Sequence, residues 1–152
     1  IPARNAYAMT NLLQEVTRSG TAKDAPRLLK RTDLFGKTGT TNDSMDAWFA
    51  GWSPSVVGVV WIGYDTPKKL GDRETGGGLA LPVWIEYMRH ALKGVPSKPM
   101  AAAPPGMVNV GGEWIFEEYA RGGGIDMVGV EEEAPTAPTE AEKSSILDLF
   151  KR

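Results

Sequence analysis

The sequence predicts an α+β domain in which an antiparallel sheet is flanked by helices. Apolar residues recur at helical spacing over residues 3–18 and again over residues 80–93. Between them, three short segments are rich in β-branched and aromatic residues, which is typical of strands. The connections between these segments are too short for a parallel crossover, so we expect an antiparallel meander with the helices packed against it.

The first helix is predicted over residues 3–18. Pro2 suits its start and Gly20 suits its stop. Its apolar face is formed by residues at spacings of three and four, namely Ala6, Met9, Leu13 and Val16. Residues 21–33 are polar and contain Pro26, and we expect them to be mostly loop.

The three strands are predicted at residues 34–40, 47–52 and 56–64. Turn-forming residues separate them, Asn42-Asp43-Ser44 after the first strand and Ser53-Pro54-Ser55 after the second. The third strand should be buried on at least one face. The tryptophans of the last two strands are predicted to be core residues rather than a binding platform; they are Trp48, Trp52 and Trp61.

The second helix is predicted over residues 80–93, and Gly94 suits its stop. Its buried face is predicted to consist of Leu81, Trp84, Ile85, Met88 and Leu92. The loop before it, residues 65–78, ends in Gly76-Gly77-Gly78. We interpret these glycines as loop flexibility rather than as a nucleotide-binding fingerprint, which opens a helix directly after a strand.

The last third of the chain has a weaker pattern. Residues 95–120 form an extension with a possible small hairpin, residues 108–110 and 113–119, across Gly111-Gly112. Residues 121–152 form an acidic tail rich in Pro and Gly, which we expect to be flexible because it cannot bury enough apolar surface to order itself.

Composition and charge exclude several classes of protein. The 152 residues contain no Cys and a single His, His90, which excludes a disulfide scaffold, a thiolate zinc site, a cysteine nucleophile and a His-rich metal site. His90 is expected to be a solvated or partly packed helix residue. The net charge is −2, with +3 on residues 1–94 and −5 on residues 95–152. The +3 on residues 1–94 is too small an excess of positive charge to indicate a nucleic-acid partner, which requires a basic stripe.

The beginning of the sequence suggests that it continues a longer protein. No signal peptide opens it, and its longest apolar run, residues 56–62, is too short to span a bilayer.

The sharpest local feature is the run Gly36-Lys37-Thr38-Gly39-Thr40-Thr41-Asn42. A cation, hydroxyls and a Gly that admits close backbone approach are typical of an anion-binding strand edge. One alternative is a phosphate loop, but that motif requires a Gly where this sequence has Arg31, and a helix directly after the motif. The other alternative is an ordinary hairpin arm.

Two acidic residues near this run also have alternative interpretations. Asp43 and Asp46 could act together as a general acid and base. Their position around a turn favours turn capping instead.

Further segments accompany the Lys-Thr-Gly run in a fixed order. They are Ser19-Gly20-Thr21-Ala22 before it, and Asp46-Ala47-Trp48-Phe49-Ala50-Gly51, Val60-Trp61-Ile62-Gly63-Tyr64-Asp65, Glu74-Thr75-Gly76-Gly77 and Leu81-Pro82-Val83-Trp84 after it. Together they resemble the C-terminal part of the transpeptidase domain of class A (bifunctional) penicillin-binding proteins. The resemblance is close over residues 1–94 and loose over residues 95–119. It implies a partial serine β-lactamase/penicillin-binding transpeptidase fold.

The resemblance also implies a reaction and roles for residues. The family crosslinks peptidoglycan by serine acyl transfer on D-Ala-D-Ala stem peptides, uses no cofactor and is inhibited by β-lactams. Lys37 would be the cation of the cleft, and the hydroxyls of Thr38 and Thr40 would hold the substrate carboxylate. The backbone N–H of Thr40 would donate to the oxyanion. The implied substrate-binding strand also includes Gly39, Thr41 and Asn42, and its edge would pair with the extended substrate.

The sequence departs from the family pattern in one essential respect. The family requires Ser-x-x-Lys for the nucleophile and its base, and Ser-x-Asn for proton relay. None of the seven serines here has a Lys three positions later or an Asn two positions later, so both motifs are missing from this sequence. In the family both motifs lie upstream, as do the glycosyltransferase domain and the membrane anchor that holds the protein on the periplasmic side of the inner membrane. We therefore expect this chain to be inactive alone.

Two hypotheses of different classes follow. The first is that the chain is part of an acyltransferase. The second is that it is a non-catalytic interaction module that kept the sheet and lost the chemistry. The second hypothesis requires the chain to fold as a stable monomer. The third strand, residues 56–64, instead exposes an edge or an apolar face, through which we expect the chain to dimerise or aggregate.

Overall fold

A computed structural model of the protein describes residues 1–72 and 74–120. Its central sheet has three antiparallel strands in the order β1-β2-β3, with β1 at Phe35–Thr40, β2 at Ala47–Ser53 and β3 at Val56–Ile62. Three helices accompany the sheet, α1 (Ala3–Arg18), α2 (Asp24–Leu29) and α3 (Leu81–Ala91). The predicted α+β class and the antiparallel meander are confirmed.

The two faces of this sheet differ in what covers them. Residues opposite each other in neighbouring strands share a face, and alternate residues along a strand point to opposite faces. We call one side the packed face, and it consists of Gly36, Thr38, Thr40, Ala47, Phe49, Gly51, Ser53, Val56, Gly58, Val60 and Ile62. We call the other side the open face, and it consists of Phe35, Lys37, Gly39, Trp48, Ala50, Trp52, Val57, Val59 and Trp61.

Helix α3 covers the packed face with Trp84 at its centre. The Trp84 side chain is fully buried, and its ring lies 4.9 Å from the ring of Phe49 in an edge-to-face arrangement. Its Nε1 donates to the carbonyl oxygen of Gly58 at 3.1 Å. A Cβ on Gly51 would come within 2.9 Å of the Trp84 ring, so the glycine makes room for the indole. The predicted buried face of this helix is confirmed.

The predicted buried face of α1 is partly wrong. Met9 is 54% exposed and Ala6 is also exposed. Thr17 is buried instead, and its hydroxyl donates to the carbonyl oxygen of Leu34 at 2.7 Å. Apolar periodicity missed this residue because a buried hydroxyl that satisfies a backbone carbonyl is still scored as polar.

The prediction that residues 21–33 are mostly loop is incomplete, because Asp24–Leu29 form the short helix α2 within this segment. Pro26 is the third residue of this helix, where a missing backbone N–H costs nothing because the first four N–H groups have no partner within a helix. Ala25 is fully buried. Lys30 ends the helix in the left-handed conformation, with φ of 53°.

The prediction that the strand tryptophans are core residues is wrong for two of the three. Trp48 and Trp61 are 42% and 44% exposed and lie next to each other on the open face, with ring centroids 6.0 Å apart. Trp52 is half-buried and stacks on Phe35 at 5.3 Å. Alternation groups the tryptophans correctly on one face, but alternation does not say which face the helix covers.

Strand β3 is shorter and less buried than predicted. It ends at Ile62 rather than at residue 64, and even its packed-face residues are only half-buried. On the open face, Val57 is 74% exposed and Val59 is 59% exposed. The strand is therefore a partly covered edge of the described sheet.

The predicted hairpin of the extension is present. Strands β4 (Met107–Val110) and β5 (Glu113–Phe116) pair across Gly111 and Gly112, which both have positive φ. The second strand ends earlier than predicted, because Glu117–Ala120 form the short helix α4. The hairpin packs on α1, where the rings of Tyr7 and Trp114 meet edge-to-face at 5.4 Å.

The predicted tail, residues 121–152, lies outside the described residues. No helix within the described ranges is long and apolar enough to cross a membrane.

A buried ion pair fixes the segment that follows α3. The Asp33 side chain is 1% exposed, and Arg31 donates to its two oxygens at 2.9 and 2.8 Å. Arg31 also donates to the carbonyl oxygen of Val95 at 2.6 Å, and the backbone N–H of Lys98 donates to Asp33 at 2.9 Å. Burial by itself raises the pKa of Asp33, but these hydrogen bonds outweigh it and hold the pKa below its ordinary value.

Candidate active-site strand

Strand β1 is an edge of the described sheet and separates a cation from two hydroxyls. It has β2 on one side only. Lys37 is exposed on the open face, and its Nζ donates to the carbonyl oxygen of Thr38 at 3.0 Å. The side chains of Thr38 and Thr40 belong to the packed face. A ligand lying along the edge of β1 could therefore meet the ammonium from one side and the hydroxyls from the other.

The electrostatic character of this edge comes from Lys37. Within residues 1–72 and 74–120, no carboxylate lies within 4.0 Å of its ammonium group. The same ranges contain no group of three or more His, Cys, Asp or Glu side chains that could hold a metal ion. The arrangement suits recognition of an anion by a cation and hydroxyl donors.

The hydroxyls of the two threonines each have a partner in the protein. The Thr38 Oγ1 lies 3.0 Å from the Thr21 Oγ1. The Thr40 Oγ1 accepts a hydrogen bond from the backbone N–H of Gly76 at 3.0 Å. Since Thr40 only accepts in this contact, its own proton is available for a further acceptor.

The glycine run before α3 is an ordered part of this site, so its interpretation as loop flexibility is wrong. Gly76–Ala80 form a π-helical turn, and the Thr75 hydroxyl accepts the N–H of Gly78 at 3.0 Å. Gly76 is buried, and a Cβ there would clash with the carbonyl oxygens of Gly39 and Trp48. The turn thus lies directly on the β1 and β2 backbones, where a side chain would not fit.

The turn after β1 places Thr41 and Asn42 beyond the strand. Thr41 pairs with Asp46 across the turn, because its Oγ1 accepts the Asp46 N–H at 2.8 Å and its N–H donates to the Asp46 carbonyl oxygen at 3.1 Å. Asn42 is exposed at the start of a 3₁₀ turn. These two residues therefore lie at the end of the candidate binding edge rather than along it.

The two acidic residues of this turn do not act on each other. Asp46 accepts from the Nε1 of Trp61 at 2.8 Å, which fixes the indole on the open face. Asp43 lies 3.7 Å from the Nζ of Lys69 and has a left-handed backbone conformation, with φ of 60°. Turn formation, and not an acid and base pair, is what the structure supports.

An apolar groove lies elsewhere on the protein. It has a volume of about 570 Å³ and is lined by α1, the start of β1, Trp52, Pro54, residues 98–102 and Pro104. It does not include Lys37 or the threonines of β1. His90, on the far side of α3, is exposed and pairs with Glu86 at 3.0 Å, as expected for a solvated residue.

Sequence reasoning missed two residues of the site. Thr21 and Gly76 contact the hydroxyls of Thr38 and Thr40 although they are 17 and 36 positions away from them. Both belong to segments that carry the family resemblance. That resemblance was the only signal that could have pointed to them, because contacts between separate segments leave no periodicity in the sequence.

Several known proteins are similar in sequence to this chain over most of the chain's length. Penicillin-binding protein 1A of Neisseria lactamica is 51% identical over 119 residues, which are 78% of this chain and 15% of that protein. Penicillin-binding protein 1A of Pseudomonas aeruginosa is 56% identical over 110 residues, which are 72% of this chain and 13% of that protein. The chain thus spans about one-seventh of the length of these relatives. No protein-family model matches it.

A solved structure agrees with these relatives. The crystal structure of penicillin-binding protein 1A from Haemophilus influenzae is similar to this chain with a TM-score of 0.65 and 33% sequence identity. The similarity covers 71% of this chain and 17% of that structure. The similarity therefore extends to the arrangement of the helices and strands.

Proposed function

Since this chain belongs to the class A penicillin-binding proteins, as a C-terminal part of their transpeptidase domain, we propose that it forms one wall of a peptidoglycan-crosslinking site. The observation that carries the proposal is the edge of β1, where Lys37 is exposed on one face of the strand and the hydroxyls of Thr38 and Thr40 lie on the other. An extended peptide with a terminal carboxylate fits such an edge, because it offers both strand-pairing groups and an anion.

The proposed reaction is serine acyl transfer on a D-Ala-D-Ala stem peptide. A serine supplied by the upstream part of the domain attacks the penultimate D-Ala carbonyl carbon, the peptide bond to the terminal D-Ala breaks, and that D-Ala leaves with a proton on its nitrogen. An amine of a second stem peptide then attacks the acyl-serine ester and regenerates the serine. No cofactor is required, and a β-lactam inhibits the site by acylating the same serine.

Each residue of β1 has a role in this proposal. Lys37 attracts the substrate carboxylate and provides positive charge next to the nucleophile's proton relay. Thr38 and Thr40 hold the carboxylate through their hydroxyls. The Thr40 backbone N–H donates to the oxyanion, an interaction worth about 3 kcal/mol in the barrier.

The remaining residues of the motif shape the edge. Gly39 has no side chain on the open face, so a substrate backbone can approach the strand there. Thr41 and Asn42 form the end of the binding edge, next to the turn. The substrate pairs with β1 as an additional strand, using main-chain hydrogen bonds.

The whole protein, in this proposal, is a bifunctional cell-wall synthase on the periplasmic side of the bacterial inner membrane. Its partners are peptidoglycan stem peptides and β-lactams. An N-terminal helix outside this sequence anchors it to the membrane. The 152-residue chain alone is inactive, because it contains neither Ser-x-x-Lys nor Ser-x-Asn.

Labelling with a fluorescent penicillin tests this function. We expect no label on the 152-residue chain and a stoichiometric label on the protein with its upstream segment restored. In the restored protein, Lys37→Ala should slow labelling roughly 100-fold or more, the loss typical of a group that stabilises transition-state charge. Lys93→Ala serves as the matched control, because Lys93 is exposed beyond α3. A restored protein that resists labelling contradicts the proposal.

We also propose that the isolated chain associates with itself through β3. In the described sheet β3 has β2 on one side only, and its seven residues include no charged residue and no Pro. Strand edges that lack such protection pair readily with other strands. Two β3 edges can pair antiparallel about a two-fold axis, which also brings the exposed Val57 and Val59 of the two copies together.

A further inference from the structure

The loop between α1 and α2 brings a second threonine to the candidate active-site strand. The Oγ1 atoms of Thr21 and Thr38 are 3.0 Å apart, within hydrogen-bond distance, and either oxygen can be the donor. Thr21 also lies close to the glycine turn before α3, since a Cβ on Gly77 would be 3.5 Å from its carbonyl oxygen. Thr21 therefore sits where three segments meet around Thr38.

The residues on either side of Thr21 anchor its backbone in this position. Gly20 brings the chain so close to α1 that a Cβ would come within 2.9 Å of the Val16 backbone. Ala22 is fully buried, and its N–H donates to the carbonyl oxygen of Val16 at 3.0 Å. Because a close approach precedes Thr21 and a buried residue follows it, the backbone of Thr21 is held beside β1, which keeps its hydroxyl within reach of Thr38.

The hydrogen-bonding capacity of a hydroxyl determines which of the two threonines donates the proton in this contact. A threonine hydroxyl has one proton to donate and two lone pairs that accept. If Thr38 donates its proton to a bound carboxylate, the contact with Thr21 must run the other way, with Thr21 donating to Thr38. Successive donors polarise one another, so the chain from Thr21 through Thr38 to the carboxylate is stronger than the last bond alone.

We propose that Thr21 is a positioning residue, which orients the Thr38 hydroxyl so that its proton points at the carboxylate of the substrate or of a β-lactam. The inference rests on the proposed function. Thr21 acts only through Thr38 and contacts no reacting atom. Its removal should therefore weaken recognition of the carboxylate and leave the acylation chemistry otherwise intact.

The test uses the full-length protein with its upstream segment and three variants. Thr21→Val removes the hydroxyl at nearly constant volume, and Thr21→Ser restores it. Thr10→Val is the matched control, because the Thr10 hydroxyl bonds the carbonyl oxygen of Ala6 within α1 at 2.8 Å, away from β1. Thermal melting of the two Thr21 variants should agree with that of the unsubstituted protein, since Thr21 is exposed.

Second-order acylation rate constants are measured with a penicillin and with the methyl ester of the same penicillin. We expect Thr21→Val to lower the constant for the free carboxylate about fivefold, the loss typical of one hydrogen bond between neutral groups. The constant for the ester should change little, so the preference for the carboxylate falls. Thr21→Ser should recover most of the loss, and Thr10→Val should leave both constants unchanged.

The failure of this inference is distinct from the failure of the proposed function. If the unsubstituted protein is not acylated, the function is wrong and the inference falls with it. If that protein is acylated but Thr21→Val behaves like Thr10→Val, or lowers both constants equally, Thr21 has no positioning role and the inference alone is overturned.

Discussion

The packed and open faces of the sheet are made by the same three strands, yet they serve different purposes. On the packed face, Phe49 and Trp84 are fully buried, and glycines at positions 36, 51 and 58 let the indole and the strands approach closely. On the open face, Trp48, Trp61, Val57 and Val59 are large apolar residues that remain exposed. The packed face contains the buried centre of the sheet, whereas the open face leaves large apolar side chains accessible.

The difference between the two faces explains why the proposed binding groups lie at the edge of β1. Lys37 lies on the open face, where its charge costs no desolvation, whereas Thr38 and Thr40 are held from the packed side by Thr21 and Gly76. The edge of β1 lies between a rigid support and an accessible surface. The proposed binding groups are therefore both well positioned and reachable.

The largest expected effect compares tryptophans on the two faces. Trp84→Ala should lower the free energy of unfolding by about 3–5 kcal/mol, because it leaves a cavity under the sheet and leaves the Gly58 carbonyl without its donor. Trp48→Ala, on the open face, should cost about 1 kcal/mol or less. Urea unfolding at fixed protein concentration measures both. Equal losses would show that the two faces do not differ in this way.

The next largest effect is expected at the buried ion pair of Arg31 and Asp33, which holds the segment that follows α3. Asp33→Asn should cost about 3 kcal/mol near neutral pH, because it leaves the Arg31 guanidinium largely buried without its carboxylate. Since the pKa of Asp33 is lowered on folding, its contribution is complete above the unfolded pKa of about 3.9 and is lost as pH falls through the folded value.

The pH dependence provides the check on that prediction. The stability of the unsubstituted chain should fall below about pH 4, and the difference from Asp33→Asn should shrink in the same range. Asp24→Asn is a suitable control, because Asp24 pairs with Arg27 on the surface of α2. A constant difference between unsubstituted protein and Asp33→Asn across acid pH would rule out the ion pair as its cause.

A smaller effect is expected at the glycine turn. Gly76→Ala should cost about 1–3 kcal/mol, because its Cβ would clash with the carbonyl oxygens of Gly39 and Trp48. Gly78→Ala should be tolerated, because a Cβ there meets only the Thr75 Oγ1 at 3.4 Å. Denaturant midpoints of the two variants give the comparison, and similar midpoints would mean that the turn is not tightly packed on β1.

The smallest effect on stability is expected on the open face. Val59→Lys should change the free energy of unfolding by less than about 0.5 kcal/mol, since Val59 is exposed. The same change should abolish self-association, because a charge on a strand edge opposes pairing. Sedimentation velocity over a range of concentrations distinguishes the two states. An unsubstituted chain that stays monomeric throughout would refute pairing through β3.

Local patterns in the sequence predicted much of the fold, for identifiable reasons. The buried face of α3 was predictable because its apolar residues recur at helical spacing, and the turn at residues 42–44 because Asn, Asp and Ser favour it. Helix α2 was missed because Pro and charged residues are read as loop signals, although Pro is tolerated in a first turn.

The candidate site likewise contains residues that local sequence predicts and contacts that it does not. Lys37, Thr38 and Thr40 could be found because they are adjacent along one strand and belong to a recognisable motif. The contacts of Thr21 with Thr38 and of Gly76 with Thr40 could not be found from spacing, because they join segments far apart in the chain.

The sequence by itself determined the order of the two long helices and the three strands, the meander and the motif on β1, since these depend on local preferences and on short connections. Only the tertiary structure decided which face α3 covers, and so which side of β1 is supported and which is open. Strand alternation is symmetric between the two faces of a sheet, and a helix placed on one of them breaks that symmetry.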